Sequence, residues 1–319
     1  MEFRKLISFG KTSFVMSLPK SWIQKNKLKK GDLIGLQERE EGLVLLPKKD
    51  KDIESEVKRI TINVDGKPIN RIQREIGAAY INNFNIITIT GKELKDKTKE
   101  IKDALRYLIA LEIVEQTSDK ILAKDFLNME KISITNLIRK MDIITRDMFA
   151  DTKLVLKDRD PEEIINRDEE INRLSYLLFR AINYALSNPD IARIYKLNSK
   201  KLVHYWFINT AIEKIGDSIK RVARNLTELE PKLAKPIIDE FVLKSEQRYL
   251  GSMKSFYNGD LDLAYKHAGS KKEVLKECEE FSKKHASKWL LEDTMDKIKQ
   301  MLANIHDIDR IVYLFSAAD

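Results

Sequence analysis

The chain has 319 residues, 43% of them apolar and 34% charged, with a net charge of +8 and a single cysteine. That balance supports two or three packed domains and excludes wholesale disorder. The lone thiol, Cys278, excludes an internal disulfide; no apolar run is long enough for a membrane-spanning helix, and the opening MEFRKLISFG lacks the core of a signal peptide, so a reducing cytoplasm is the expected compartment.

The charge is uneven. Residues 1–50 hold eleven basic and six acidic side chains, so more than half of the surplus lies in less than a sixth of the length. Such a basic end expects an anionic partner. Phe14, Met16 and Leu18 alternate with Ser13, Val15 and Ser17, the period of a strand. Pro19 suits the first position of a helix, and KSWIQKNK is long enough for two short turns of one. LKKGD turns through Gly31, and LIGLQEREEGLVLLP reads as a hairpin reversing at Glu41–Gly42. Fifty residues with so few large apolar side chains cannot close a core alone. The expectation is an obligate dimer whose strands complete one another's sheet.

This stretch resembles the swapped-hairpin domain of the SpoVT/AbrB/MazE group. Gly10, Pro19, Leu28, Gly31, Asp32, Gly42 and Pro47 stand where the group has its shared residues. The resemblance implies that residues 1–50 form a dimerising DNA-binding domain. It places DNA contacts on Arg4, Lys5, Lys11, Thr12, Ser13, Lys20 and Lys25. Several members of the group carry arginine where Ile23 and Gln24 stand here, so backbone-phosphate contacts are expected rather than bidentate reading of guanine. A dimerisation module with a solvated basic face is the plainer alternative.

Residues 54–128 read as a small α/β linking domain. RITINV is a strand, PINRIQREIGAAYINN a helix, FNIITITG a strand, KELKDKTKEIKDALRYLIAL a helix, and EIVEQTSDKILAKDFL a hairpin. Gly91–Lys92 follows a strand and precedes a helix, a place that suits an anion, although an ordinary connection accounts for it as well.

Residues 129–319 read as almost entirely helical, with predicted runs over 131–157, 161–187, 199–227, 232–257, 260–288 and 292–316. LKDRDPEEI and YNGDLDLAY turn at equivalent places, and IEKIGDSIKRVARNL lines up with LANIHDIDRIVYLF, so two triplets of helices follow. Ile208, Ile212, Ile215, Ile219, Val222 and Leu226 make one apolar stripe. Glu213 and Asp217 fall roughly 140° and 180° from its centre, which predicts an outward face.

IEKIGD (212–217) and RDEEIN (167–172) resemble the two acidic signatures of PhoU proteins. The resemblance implies two three-helix repeats whose carboxylates carry a divalent or iron ion, here through Asp168, Asn172, Glu213 and Asp217. Asn172 replaces a carboxylate. The second repeat holds Ala268, Lys272 and Ala303 beside Asp307, so a metal is expected in the first triplet alone. The competing reading pairs Asp217 with Lys220 or Arg221 along the helix.

The joined architecture looks like the archaeal regulators of phosphate uptake. It implies a helical sensor controlling a DNA-binding dimer, with DNA, a phosphate transporter or sensor protein, and a second or further copy of the chain as partners. The alternative is a cytosolic adaptor that docks on a transporter or sensor without touching DNA. An antitoxin-like module ranks below both, because such proteins usually end in a short disordered tail whereas this sequence ends on a helical pattern. The four scattered histidines and the lack of a nucleophile–base set argue against an enzyme.

Overall fold

The computed structural model describes residues 3–39, 42–47, 57–157, 160–285 and 289–316. The chain divides between Val57 and Lys58 into two units. The first holds strands β1 (Ile7–Phe9) and β2 (Ser13–Val15), helix α1 (Lys20–Lys25), and strands β3 (Ile34–Arg39) and β4 (Gly42–Pro47). β1 and β2 pair antiparallel around Gly10, whose φ of +71° only glycine adopts readily. β3 and β4 pair with Arg39 opposite Gly42; Glu41 of the predicted Glu41–Gly42 reversal lies outside the described residues. LKKGD turns as expected: the backbone N–H of Asp32 donates to Lys29 O at 3.1 Å, and the Asp32 carboxylate accepts from Lys29 N at 2.7 Å.

In the second unit, β5 (Arg59–Asn63), α2 (Ile69–Ile81), β6 (Ile86–Thr90), α3 (Leu94–Tyr107), β7 (Leu111–Gln116) and β8 (Lys120–Asp125) reproduce the predicted β-α-β-α-β-β order. The sheet runs β5-β6-β8-β7, with β5 parallel to β6 across the α2 crossover and the remaining pairs antiparallel. Alternate residues of β6 and β8 are buried, as a sheet covered on one face requires. Ile72, Ile76 and Tyr80 of α2 share that core with Ile101 and Leu105 of α3.

The helical part begins with α4 (Ile134–Thr152), capped by Ser133, and α5 (Pro161–Ser187), capped by the Asp160 carboxylate with Pro161 at its first position. A short α6 (Pro189–Ile194) leads to α7 (Ser199–Glu228), where the Asn198 side chain accepts from Lys201 N. Then come α8 (Pro231–Pro236), a π-helical segment (Ile237–Val242), α9 (Leu243–Asn258), α10 (Leu261–Gly269), α11 (Lys271–Lys284) and α12 (Trp289–Ser316). One apolar core runs through α4, α5, α7, α9 and α12, so the two triplets share an interior.

Three boundaries differ from the sequence reading. The first predicted helix, 131–157, ends at Thr152 and gives way to a 3₁₀ turn at Val155–Lys157. The run 232–257 contains Pro236, which lacks a backbone donor, and π-type bonding takes up the register beside it. The run 260–288 is two helices broken at Ser270. There the Arg248 guanidinium donates to Ser270 Oγ at 2.7 Å and Ser270 O at 3.3 Å, and the same carbonyl accepts from Val274 N at 3.4 Å as the next helix begins.

The α/β layer is bound to the bundle through α5. Arg180, 1% exposed, makes a two-point pair with Asp125 of β8 at 3.1 and 2.5 Å. It also donates to Asn83 Oδ1 at 3.2 Å and lies 4.4 Å from the centre of the Tyr80 ring. Arg173 donates to Tyr107 O, and Asn183 to Ile81 O, both at 3.0 Å.

Candidate functional site

The N-terminal unit shows its chemistry on its surface. Arg4, Lys5, Lys11, Thr12, Ser13, Lys20 and Lys25 are all exposed, on the approach to β1, the β1–β2 loop, the start of β2 and α1. So are several large apolar side chains: Phe9 is 70% exposed, Phe14 66% and Leu36 68%. No residue from 3 to 36 or 42 to 45 is buried. A two-stranded ribbon with no interior is marginal in water. This unit therefore presents a basic surface and an uncovered apolar one.

The second site lies between α5 and α7. Asn209 donates to Ser175 O at 3.3 Å, while Asp168 meets Lys220, so the two helices run antiparallel. Gly216 permits their approach: a Cβ there would stand 3.2 Å from Ile171 Cδ1 and 3.6 Å from Asp168 Oδ1. The predicted apolar stripe is buried throughout, from Ile208 to Leu226. Ala211, Gly216 and Ser218 are buried as well, because α4, α5 and α12 all pack on α7. Lys214, Arg221 and Arg224 stay exposed, whereas the side toward α5 does not. This corrects the expectation for Glu213 and Asp217, which are half-buried at the α5 seam.

The structure does bring Asp168, Asn172, Glu213 and Asp217 into one neighbourhood, and Lys220 stands among them. Its Nζ lies 2.6 Å from Asp168 Oδ2 and 2.9 Å from Asp217 Oδ1. Arg221 Nε holds the other Asp217 oxygen at 2.9 Å, and the Asn172 amide donates to Asp168 Oδ2 at 3.2 Å. Burial disfavours the charge on Lys220, but the hydrogen bonds to Asp168 and Asp217 overcome it and raise the ammonium pKa. Burial pushes the Asp168 carboxyl up against the opposing pull of Lys220. Glu213 is raised by burial first and then by the charges of Asp217 and Asp168.

As placed, these donors are engaged with a cation of the chain itself rather than gathered round a metal ion, and one oxygen, Asp168 Oδ1, is buried without a hydrogen-bond partner. The two aspartates give oxygens to an ammonium, and the neutral member of the set turns its N–H₂ inward. Among the described residues no three His, Cys, Asp or Glu side chains are grouped so as to hold a metal. The competing sequence reading, pairing of Asp217 with Lys220 and Arg221, describes the contacts found. What it missed is the reach of Lys220 across the seam to Asp168. The second position the sequence reading passed over is Arg180, a lone cation in the apolar run YLLFRAINYAL; a buried arginine requires a partner, and that was the one signal. The anion cradle considered at Gly91–Lys92 is filled from within the chain: Asp65 Oδ1 accepts from Glu93 N at 3.0 Å and would lie 2.6 Å from a Cβ at residue 91.

The family model of the PhoU domain matches residues 138–226, from α4 through α7. The model described as antidote-toxin recognition MazE, bacterial antitoxin, matches residues 9–52. The chain thus joins a MazE/AbrB-like N-terminal domain to a helical region containing a PhoU domain, with a small sheet domain between. Both are regulator-type domains, and together they fit a protein of phosphate regulation with a nucleic-acid-binding end. No curated protein and no solved structure matches the chain. Among the described residues no helix is long and apolar enough to cross a membrane.

Proposed function

We propose that this protein is a cytoplasmic DNA-binding regulator of phosphate uptake or phosphate signalling. It works in three parts: a DNA-binding dimerisation domain at 1–50, a linking domain at 54–128, and a two-repeat helical sensor at 129–319. The observation that carries this reading is the N-terminal unit, where cations and large apolar side chains are exposed together and nothing from 3 to 36 is buried. Pairing with a second copy covers the apolar side chains, each worth about 1.5–3 kcal/mol when buried. The lysines and Arg4 of both copies then face the duplex backbone from one surface. A ligand or partner on the helical part that favours one dimer geometry changes the spacing of the two basic faces.

Fluorescence anisotropy with duplex DNA across about 50–200 mM salt tests it. Counterion release requires affinity to fall steeply over that range, by about 10³–10⁵ for six to ten phosphate contacts. No binding at low salt, or binding indifferent to salt, overturns the proposal. The second reading, an adaptor docking on a phosphate transporter or sensor, is favoured by surface aromatics of the helical part: Trp206 is 36% exposed and packs at a tilt against Phe179, ring centres 4.5 Å apart, next in sequence to Phe207, which is 48% exposed.

A further inference from the structure

We infer that Lys220 is a built-in cation that closes the carboxylate cage of the first helical triplet, so that this PhoU-type repeat holds α5 to α7 without a metal and becomes a divalent-cation site only when that lysine is removed. The inference rests on side-chain geometry within the bundle and is independent of any reading of the N-terminal unit.

Three observations carry it. First, the Lys220 ammonium, 18% exposed, bridges Asp168 on α5 and Asp217 on α7 at 2.6 and 2.9 Å. A hard cation takes oxygens at about 2.0–2.6 Å. An ion sharing those two oxygens would compete for the position the ammonium fills. Second, both aspartates already have a cation, and Glu213 is a further carboxylate nearby. Lys220 and Arg221 offset Asp168 and Asp217, so an added divalent ion would meet cations at close range. Third, Asn172 stands where the acidic signature has a carboxylate, and it offers its N–H₂ to Asp168 Oδ2, a donor where a metal needs an acceptor.

The cage becomes a cation site by subtraction. As placed, Asp168, Asp217 and Glu213 are not grouped so as to hold a metal; without the ammonium these three carboxylates of one seam have Arg221 alone to offset them and can draw together around a cation. The Asn172 amide can turn to present its oxygen. Such a set of hard oxygen donors suits Mg²⁺ or Mn²⁺. Lys220→Met keeps the length and apolar stem of the side chain and deletes the charge.

The test uses the full chain, stripped with EDTA and titrated with MnCl₂, following bound Mn²⁺ by electron paramagnetic resonance and thermal unfolding by circular dichroism. The parent should bind no stoichiometric Mn²⁺, and its unfolding midpoint should be the same in EDTA and in Mn²⁺. Lys220→Met should take up one Mn²⁺ per chain, at least tenfold more tightly than the parent, and Mn²⁺ should raise its midpoint. The gain should vanish in Lys220→Met/Asp217→Asn. Should Lys220→Met fail to fold, Lys220→Gln gives the same readout, and elemental analysis of the untreated parent decides independently. Stoichiometric metal in the parent that Asp168→Asn/Asp217→Asn removes overturns the inference, as does a folded Lys220→Met that gains no Mn²⁺.

Discussion

The clearest energetic consequence of this structure lies at the Arg180–Asp125 pair that joins the sheet domain to the bundle. Asp125→Asn keeps the shape of the side chain and removes its charge. The guanidinium it leaves behind is 1% exposed, so water cannot replace the missing partner. Breaking a buried pair from one side costs about 3–5 kcal/mol, because the remaining charge stays desolvated. Here the carboxamide oxygen of the substituted side chain and the existing bond to Asn83 Oδ1 keep part of the hydrogen bonding, which puts the expected loss near the lower end, about 3 kcal/mol. Arg180→Met/Asp125→Asn removes both charges and should recover part of that loss; with Arg180→Met alone it completes a double-mutant cycle that reads the non-additivity directly. Urea unfolding followed by circular dichroism gives the total. Hydrogen exchange gives the location: amides of β8 and of α5 around Arg180 should lose protection, while those of α9 and α12 should not. A cost below about 1 kcal/mol for Asp125→Asn, or protection that falls evenly through the bundle, refutes the view that this pair clasps the two layers.

On the N-terminal unit, Lys11→Ala and Lys25→Ala should weaken duplex binding at every sequence and flatten the salt dependence by about one unit of slope for each phosphate no longer neutralised. Phe14→Asp, at a side chain 66% exposed in the single chain, should halve the mass seen by light scattering if that face is the dimer seam; an unchanged mass places the seam elsewhere. At Glu213 the sign of the pH effect is fixed by its raised pKa. The folded state holds the proton more tightly than the unfolded one, so Glu213 subtracts stability as pH climbs from the ordinary value of 4.5 through the raised one. Glu213→Gln should remove that slope and leave the protein more stable than the parent at neutral pH, read from unfolding midpoints at pH 4 and 7. Gly91→Ala forces a side chain onto a φ of +146° and against Asp65, and should cost about 1–3 kcal/mol in urea unfolding.

Local signals carried much of this protein. The Gly31–Asp32 turn, the β-α-β-α-β-β string and the isoleucine stripe of α7 all depend on neighbours within a few residues, and each is legible because backbone period and side-chain polarity are written in the same short window; the alternation of Phe14, Met16 and Leu18 overran its strand, which ends at Val15 with every residue exposed. The acidic pairs near 168 and 213–217 were legible for the same reason. Their surroundings were not. A helical wheel places a residue relative to its own helix, yet whether a given side of α7 meets water, α5 or α12 depends on how many neighbours the bundle supplies. Glu213 and Asp217 are therefore half-buried on a side that the wheel places opposite the apolar stripe.

The same holds for Lys220 and Arg180. One is three residues from Asp217 and also reaches 52 positions back to Asp168; the other finds its carboxylate 55 positions earlier, on a strand. Sequence established that the acidic residues exist, at helical spacing, inside a PhoU-like pattern. Spacing along α7 already offered Lys220 to Asp217; tertiary packing alone decided that the same lysine also serves Asp168, because the energy of a buried charge is set by whatever group the fold brings within about 3 Å of it, and no local pattern encodes a distance between two helices.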